Sequence, residues 1–206
     1  MNIVIIDYGL GNVKSIQNQL KRISAPSTIS SDKRIIEKAD KLILPGVGHF
    51  EQGMKSLRKS KLIETLTDKV LNAKTPILGI CLGMQLFTEM SEEGHLKGLG
   101  WIKAKTIRFN HSDCTDKRYR IPHIGWNNLQ INKENKLLEG ITEDSFFYFV
   151  HSYHVVCENE NDILTNTKYA YSFTSAVHND NIWGTQFHPE KSHQDGLRIL
   201  NNFINI

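Results

Sequence analysis

Near-continuous apolar, β-branched runs alternate with amphipathic stretches through the first half of the chain, and no other feature restricts the fold as strongly. IVIID at residues 3–7 precedes a helical pattern from Asn12 to Ile23; KLIL at 41–44 precedes a second from Phe50 to Leu71; PILGI follows at 76–80. Strands that read as unbroken apolar runs are buried on both faces, which is the signature of crossover units wrapped around a parallel sheet. Beyond Gly100 the character changes. Residues 100–108, 126–132 and 146–157 read as strands separated by turns, with little helix before 193–203. The expected fold is therefore α/β: an open, mostly parallel sheet flanked by helices, with an antiparallel β extension, in a single domain over residues 1–206.

Ligands of open α/β sheets sit beyond the carboxyl ends of the strands, so glycine turns that directly follow a strand mark candidate sites. Three such turns stand out: Tyr8–Asn12 (YGLGN), Pro45–Gly48 (PGVG) and Gly79–Gly83 (GICLG). None completes a dinucleotide fingerprint, because the third glycine position is Lys14 after Gly9 and Gly11, and Glu51 after Gly46 and Gly48.

Charge excludes more than it suggests. With 25 basic and 22 acidic residues, a net charge of +3 and no run of five like charges, no nucleic-acid partner is expected. The densest basic piece, Lys117–Arg120, reads as a solvated loop edge. No apolar run is long enough to cross a bilayer, so no membrane association is expected. MNIVIIDYGLGN carries neither a basic region before its apolar run nor a small-residue cleavage site, and a cytoplasmic location is expected. Cys81, Cys114 and Cys157 form no CxxC pair, which argues against a disulfide framework and against a thiolate zinc site.

A lone cysteine is by default a small buried hydrophobe, and Cys114 and Cys157 are read that way. Cys81 is not, because GICLG between an apolar strand and a helical pattern has the layout of a nucleophile elbow. The helix expected after it would aim N-terminal amides at the sulfur and favour a thiolate. A catalytic thiol also needs a base and a group that orients the base. The best candidates are His188 and Glu190: if IWGTQF is a strand, residues two apart at its end share a face, and Glu190 can hold the imidazole in one tautomer. His151 and His154, three apart in a strand-like segment, should face opposite sides and make an improbable metal site. His123 reads as a core histidine with satisfied hydrogen bonds.

GICLGMQ and FHPEKS together resemble the glutaminase signature of the class I, triad-type glutamine amidotransferases. Asp7–Asn12, Leu44–Gly48, PHIGWN at 122–127 and FYFVHSY at 147–153 are similar, in order and spacing, to the glutaminase subunits of imidazole glycerol phosphate synthases, so the likeness covers essentially the whole chain. The resemblance implies that Cys81 attacks the carboxamide of L-glutamine, that His188 shuttles the proton, and that Glu190 orients His188. It implies an oxyanion hole from the turn of Gly46, Val47 and Gly48 with the amide of Leu82, and glutamine contacts from Gln85 and from backbone groups of Ser152 and Tyr153. It implies no cofactor and no metal. It also implies a separate partner, a (β/α)8-barrel cyclase subunit that completes a heterodimer, with Asn12, Trp126 and Lys191 toward that interface; Trp126 reads equally well as core. The sequence departs from the pattern after FHPEKS, where Ser192–Gly196 (SHQDG) stands in place of a small residue and another turn. Gly98–Ile102 and the Cys157 region resemble a sister branch that supplies ammonia for amidination of bacterial surface sugars. Non-catalytic, chaperone-like members of the same fold are a third reading, which an intact Cys-His-Glu set opposes.

Overall fold

A computed structural model of the chain describes residues 1–110 and 119–206. Cys114 and the Lys117–Arg118 pair lie outside the described residues. The strands are β1 (Ile3–Ile6), β2 (Ser27–Ser30), β3 (Lys41–Gly46), β4 (Ile77–Cys81), β5 (Met90–Ser91), β6 (Ala104–Arg108), β7 (His123–Asn128), β8 (Gln130–Ile131), β9 (Phe146–His151), β10 (Tyr153–Cys157), β11 (Ile163–Tyr169), β12 (Tyr171–Asn179) and β13 (Ile182–Thr185). The helices are α1 (Val13–Arg22), α2 (Lys33–Glu37), α3 (Phe50–Lys59), α4 (Ile63–Thr67), α5 (Leu82–Gln85) and α6 (His193–Asn205).

One sheet runs in the order β2-β1-β3-β4-β13-β12-β10-β6-β5, with β11 and β8 added on β12; β7 and β9 pair as a separate antiparallel ribbon. From β2 to β13 every pairing is parallel, as the apolar runs imply. β12, β10 and β6 then continue the sheet antiparallel. Alternate side chains of one strand serve opposite faces. Ile3 and Ile5 enter a cluster with Ile16 and Leu20 of α1 and Leu200 and Phe203 of α6, while Val4 and Ile6 enter one with Phe50, Met54 and Leu57 of α3. Each fully buried side chain of this kind contributes about 1.5–3 kcal/mol. A strand held from both faces has no freedom to slip its register.

Three local details differ from the sequence reading. The pattern over 50–71 is not one helix: it breaks after Lys59, where Lys61 takes φ 57, and resumes as α4 and a π-helical turn at Asp68–Asn72. The helix after Cys81 is a single turn, α5, so no long dipole stands behind the cysteine. The strand expected through IWGTQF stops at Thr185. Among the described residues no helix is long and apolar enough to cross a membrane.

Candidate active site

β3, β4 and β13 are parallel neighbours whose carboxyl ends lie level, with Gly46 opposite Cys81 and Ile80 opposite Thr185. The turn after β3, the cysteine ending β4 and the segment after β13 therefore converge, although more than a hundred residues separate the first from the last. Cys81 takes φ 54 and ψ −111, a conformation that side chains rarely adopt and that costs about 1–3 kcal/mol. The elbow needs a glycine behind it for a second reason. A Cβ on Gly83 would stand 1.8 Å from the Leu44 carbonyl oxygen, so α5 packs on β3 only because position 83 has none.

His188 and Glu190 are both buried, with His188 Nδ1 2.9 Å from Glu190 Oε1. The geometry comes from a turn rather than a strand: His188 is extended at φ −100, and Pro189–Lys191 forms one 3-10 turn that folds the carboxylate back under the ring. Among the described residues His188 Nε2 has no partner of hydrogen-bond geometry; catalytic hydrogen bonds commonly tighten only once substrate is bound. Burial alone would discharge the ring; the nearby Cys81 sulfur and the Glu190 carboxylate outweigh it and raise His188 to about 10. Cys81, His188 and Glu190 are thus together, with Cys81 and His188 in the wall of a cleft of about 460 Å³ that also includes Val47, Gly48, Gln85 and Tyr153.

Val47 and Gly48, which follow Gly46 at the end of β3, form one lip of that cleft, with Val47 exposed and Gly48 at φ 99. Leu82 opens α5, so its amide is among those a helix leaves without an internal partner. Tyr8, to which the sequence alone assigns no role of its own, lies beneath: its hydroxyl is buried without a partner among the described residues, and a Cβ on Gly46 would meet it at 2.6 Å. Burial, and then the charge at Cys81, push its ionisation up.

Gln85, Ser152 and Tyr153 line the same cleft. Gln85 Nε2 donates to the Tyr153 carbonyl at 3.1 Å and to Gln186 Oε1 at 2.9 Å, and Gln186 Nε2 donates to Cys81 Sγ at 3.5 Å. The Tyr153 carbonyl also faces His151 Nδ1 at 2.8 Å, and His151 Nε2 lies 3.1 Å from His123 Nδ1. His123 is indeed a satisfied core histidine, its ring stacked on Tyr169 at 3.9 Å. His151 and His154 do not face opposite sides. The strand ends at Ser152, between β9 and β10, and both rings pack on Phe109, at 5.2 and 4.8 Å. Burial lowers His123 and His154 to about 4 and His151 well below its ordinary value. Among the described residues no three histidine, cysteine or acidic side chains gather as a metal site. Cys157 is half-buried, and burial with the Asp162 charge pushes its thiol up to about 12, as suits an inert cysteine. Gln186 had a visible signal, a polar residue between a strand and FHPE, but nothing local says what it touches.

The outer face of the β7–β9 ribbon is apolar and uncovered by any of the described residues. Ile124 pairs with Val150, Trp126 with Tyr148 and Asn128 with Phe146, and Ile124, Trp126 and Phe146 are each about half exposed, at 59%, 46% and 51%. Trp126 is therefore not core: its indole stacks on His193 at 4.8 Å and 4°. Lys191 lies over the Tyr148 ring at 5.4 Å, on the same face as Trp126. Asn12 is exposed and caps α1, accepting from the Ser15 amide.

The family model described as "Glutamine amidotransferase class-I" matches residues 4–206. The imidazole glycerol phosphate synthase subunit HisH 2 of Methanococcus maripaludis is 54% identical over 202 residues, 98% of each chain. The subunit of the same name from Pseudomonas aeruginosa is 48% identical over 204 residues, 99% of each chain. A solved structure, that of a putative GMP synthase component from Thermoplasma acidophilum, superposes with a TM-score of 0.73 at 17% identity over 100% of this chain and 92% of that one, a likeness of fold.

Proposed function

The chain belongs to the class I glutamine amidotransferase family, and we propose that it acts as the glutaminase subunit of an imidazole glycerol phosphate synthase in histidine biosynthesis, as one amidotransferase domain working in the cytoplasm. The observation that carries the catalytic assignment is the strained Cys81 elbow facing a His188 already oriented by Glu190.

Cys81 Sγ attacks the side-chain carboxamide carbon of glutamine. The oxygen of the tetrahedral intermediate takes hydrogen bonds from amides of the Gly46–Gly48 turn and from Leu82, donors each typically contributing about 100- to 1,000-fold in rate. His188 gives its proton to the departing ammonia and leaves a thioester; it then takes a proton from water, which displaces the thiol and releases glutamate. Glu190 keeps Nδ1 protonated so that Nε2 faces the chemistry. Gln85, Ser152 and Tyr153 hold the substrate. Both lone pairs of the Tyr153 carbonyl are engaged by Gln85 and His151, so Tyr153 offers glutamine its amide or side chain.

Ammonia released into water is protonated and lost as a nucleophile, so the site is useful only when docked on an acceptor enzyme. A (β/α)8-barrel cyclase subunit that receives the ammonia fits this need, and the relatives' names support it. The exposed Ile124, Trp126 and Phe146, with Lys191 beside them, supply an apolar, cation-edged face for it, and Asn12 offers an exposed polar group at the start of α1. No observation favours the surface-sugar acceptor or a non-catalytic role.

The test is glutamate release by the chain mixed with the barrel cyclase and its phosphorylated aminoimidazole-carboxamide acceptor. Cys81→Ala should abolish release while the two subunits still co-elute. Normal turnover in that variant would sink the catalytic assignment, and no stimulation by the cyclase and its acceptor would sink the pathway.

A further inference from the structure

We propose that Gln186, which lies outside the Cys-His-Glu set, is a positioning residue that donates a hydrogen bond to the nucleophile while fixing the amide of Gln85 for substrate recognition. The Tyr153 carbonyl can only accept, so the Gln85 group 3.1 Å away must be its NH2. The same NH2 lies 2.9 Å from Gln186, which must answer with its carbonyl oxygen. Gln186 then has only its own NH2 to turn toward Cys81 Sγ, at 3.5 Å. Flipping either amide would set two oxygens or two NH2 groups face to face in a buried space, where an unsatisfied polar group is costly. The polarity agrees on the other side of the carbonyl, where His151 Nδ1 must be the protonated nitrogen. Gln186 itself is fully buried, and its backbone amide is held by the Ser175 carbonyl at 2.8 Å.

A donor aimed at the sulfur favours its charged form over the neutral thiol, independently of His188. Both hydrogens of the Gln85 amide are consumed, so Oε1 is what Gln85 offers in the cleft, an acceptor suited to the α-ammonium of an amino-acid substrate. One buried side chain therefore sets the state of the reagent and the polarity of the recognition group. The role in recognition rests on the glutaminase reading; the role at the sulfur does not.

Gln186→Leu and Gln186→Glu, in the full chain bound to its cyclase partner, separate the two roles. Leu removes both contacts. Alkylation of Cys81 by iodoacetamide at pH 7, read at that residue by mass spectrometry, should slow about tenfold, and KM for glutamine should rise by a similar factor, the typical effect of one hydrogen bond to a charged group. Glu keeps an oxygen for Gln85 and loses the donor, so alkylation should slow at least as much while KM stays within about twofold of the parent. Unchanged alkylation in both variants, or an equal rise of KM in both, overturns the proposal. Should the Leu variant fail to fold, the side-chain amide resonance of Gln186 in the unsubstituted chain should move with ionisation of the Cys81 thiol and stand still in Cys81→Ala; a resonance indifferent to the thiol overturns it equally. Failure of the glutaminase reading has a different mark: no glutamate from the unsubstituted complex, with Gln186-dependent alkylation intact.

Discussion

His188 and Glu190 are separated by a single residue, and a 3-10 turn, rather than a shared strand face, brings Nδ1 within 2.9 Å of Oε1. The carboxylate is buried and, among the described residues, has no partner on its other oxygen, so its charge acts on the imidazole.

Glu190→Gln keeps the size of the side chain and removes that charge. Loss of the orienting carboxylate of a triad lowers kcat by up to about 10,000-fold, and a fall of about 100-fold or more is expected here with KM nearly unchanged. Glutamate release from the partner-bound chain under saturating glutamine measures it; a fall of less than about tenfold would remove Glu190 from the mechanism.

Cys81 holds a backbone conformation that only glycine adopts freely. Cys81→Gly should thus be more stable than Cys81→Ala by about 1 kcal/mol, although neither should release glutamate. Urea unfolding of the two variants side by side gives the difference. Equal midpoints and slopes would mean that the elbow stores no strain.

Gly83→Ala places a methyl group against the Leu44 carbonyl, with 1.8 Å between the atoms if nothing moves. Since that oxygen belongs to the central strand β3, the cost should be about 3 kcal/mol or more, at the upper end of overpacking. Thermal unfolding reads this directly, and a variant as stable as the parent would contradict the packing of α5 on β3.

Buried histidines set the acid limit of stability. In the unfolded chain His123 and His154 take up protons near pH 6.5, whereas burial in the folded chain delays this to about pH 4. The unfolded state binds more protons in between, so stability falls as pH drops from about 6.5 toward 4, each group adding up to about 1.4 kcal/mol per pH unit. His154→Phe should remove its share of the slope in urea titrations at about pH 7, 6 and 5; an identical slope in the variant would refute the assignment. His188 acts in the opposite sense. Its folded-state value is raised to about 10, so its contribution is complete below about pH 6.5 and is lost as pH rises through about 10.

The strands β1, β3 and β4 are legible in the sequence, because IVII, KLIL and PILGI can be buried only from both faces. The sequence also marks Cys81, His188 and Glu190 as candidate reagents, through residue type and spacing in GICLG and FHPE. It did not show β2, which is short and polar enough to pass for a loop, nor the β11–β12 pairing, where polar and apolar residues mix without a clear period. Which distant residues meet is settled only by the packing of the sheet and its helices. Cys81, Gly46 and Gln186 converge because β3, β4 and β13 are adjacent and level, an order fixed by the packing of α1, α3 and α6 on the two faces. Hydrogen-bond polarity along Tyr153, Gln85 and Gln186 is likewise a property of space: an amide side chain has no preferred direction until a fixed acceptor is brought against it. Local pattern encodes burial and chemical type, while proximity between residues 81 and 186 exists only once the sheet has closed.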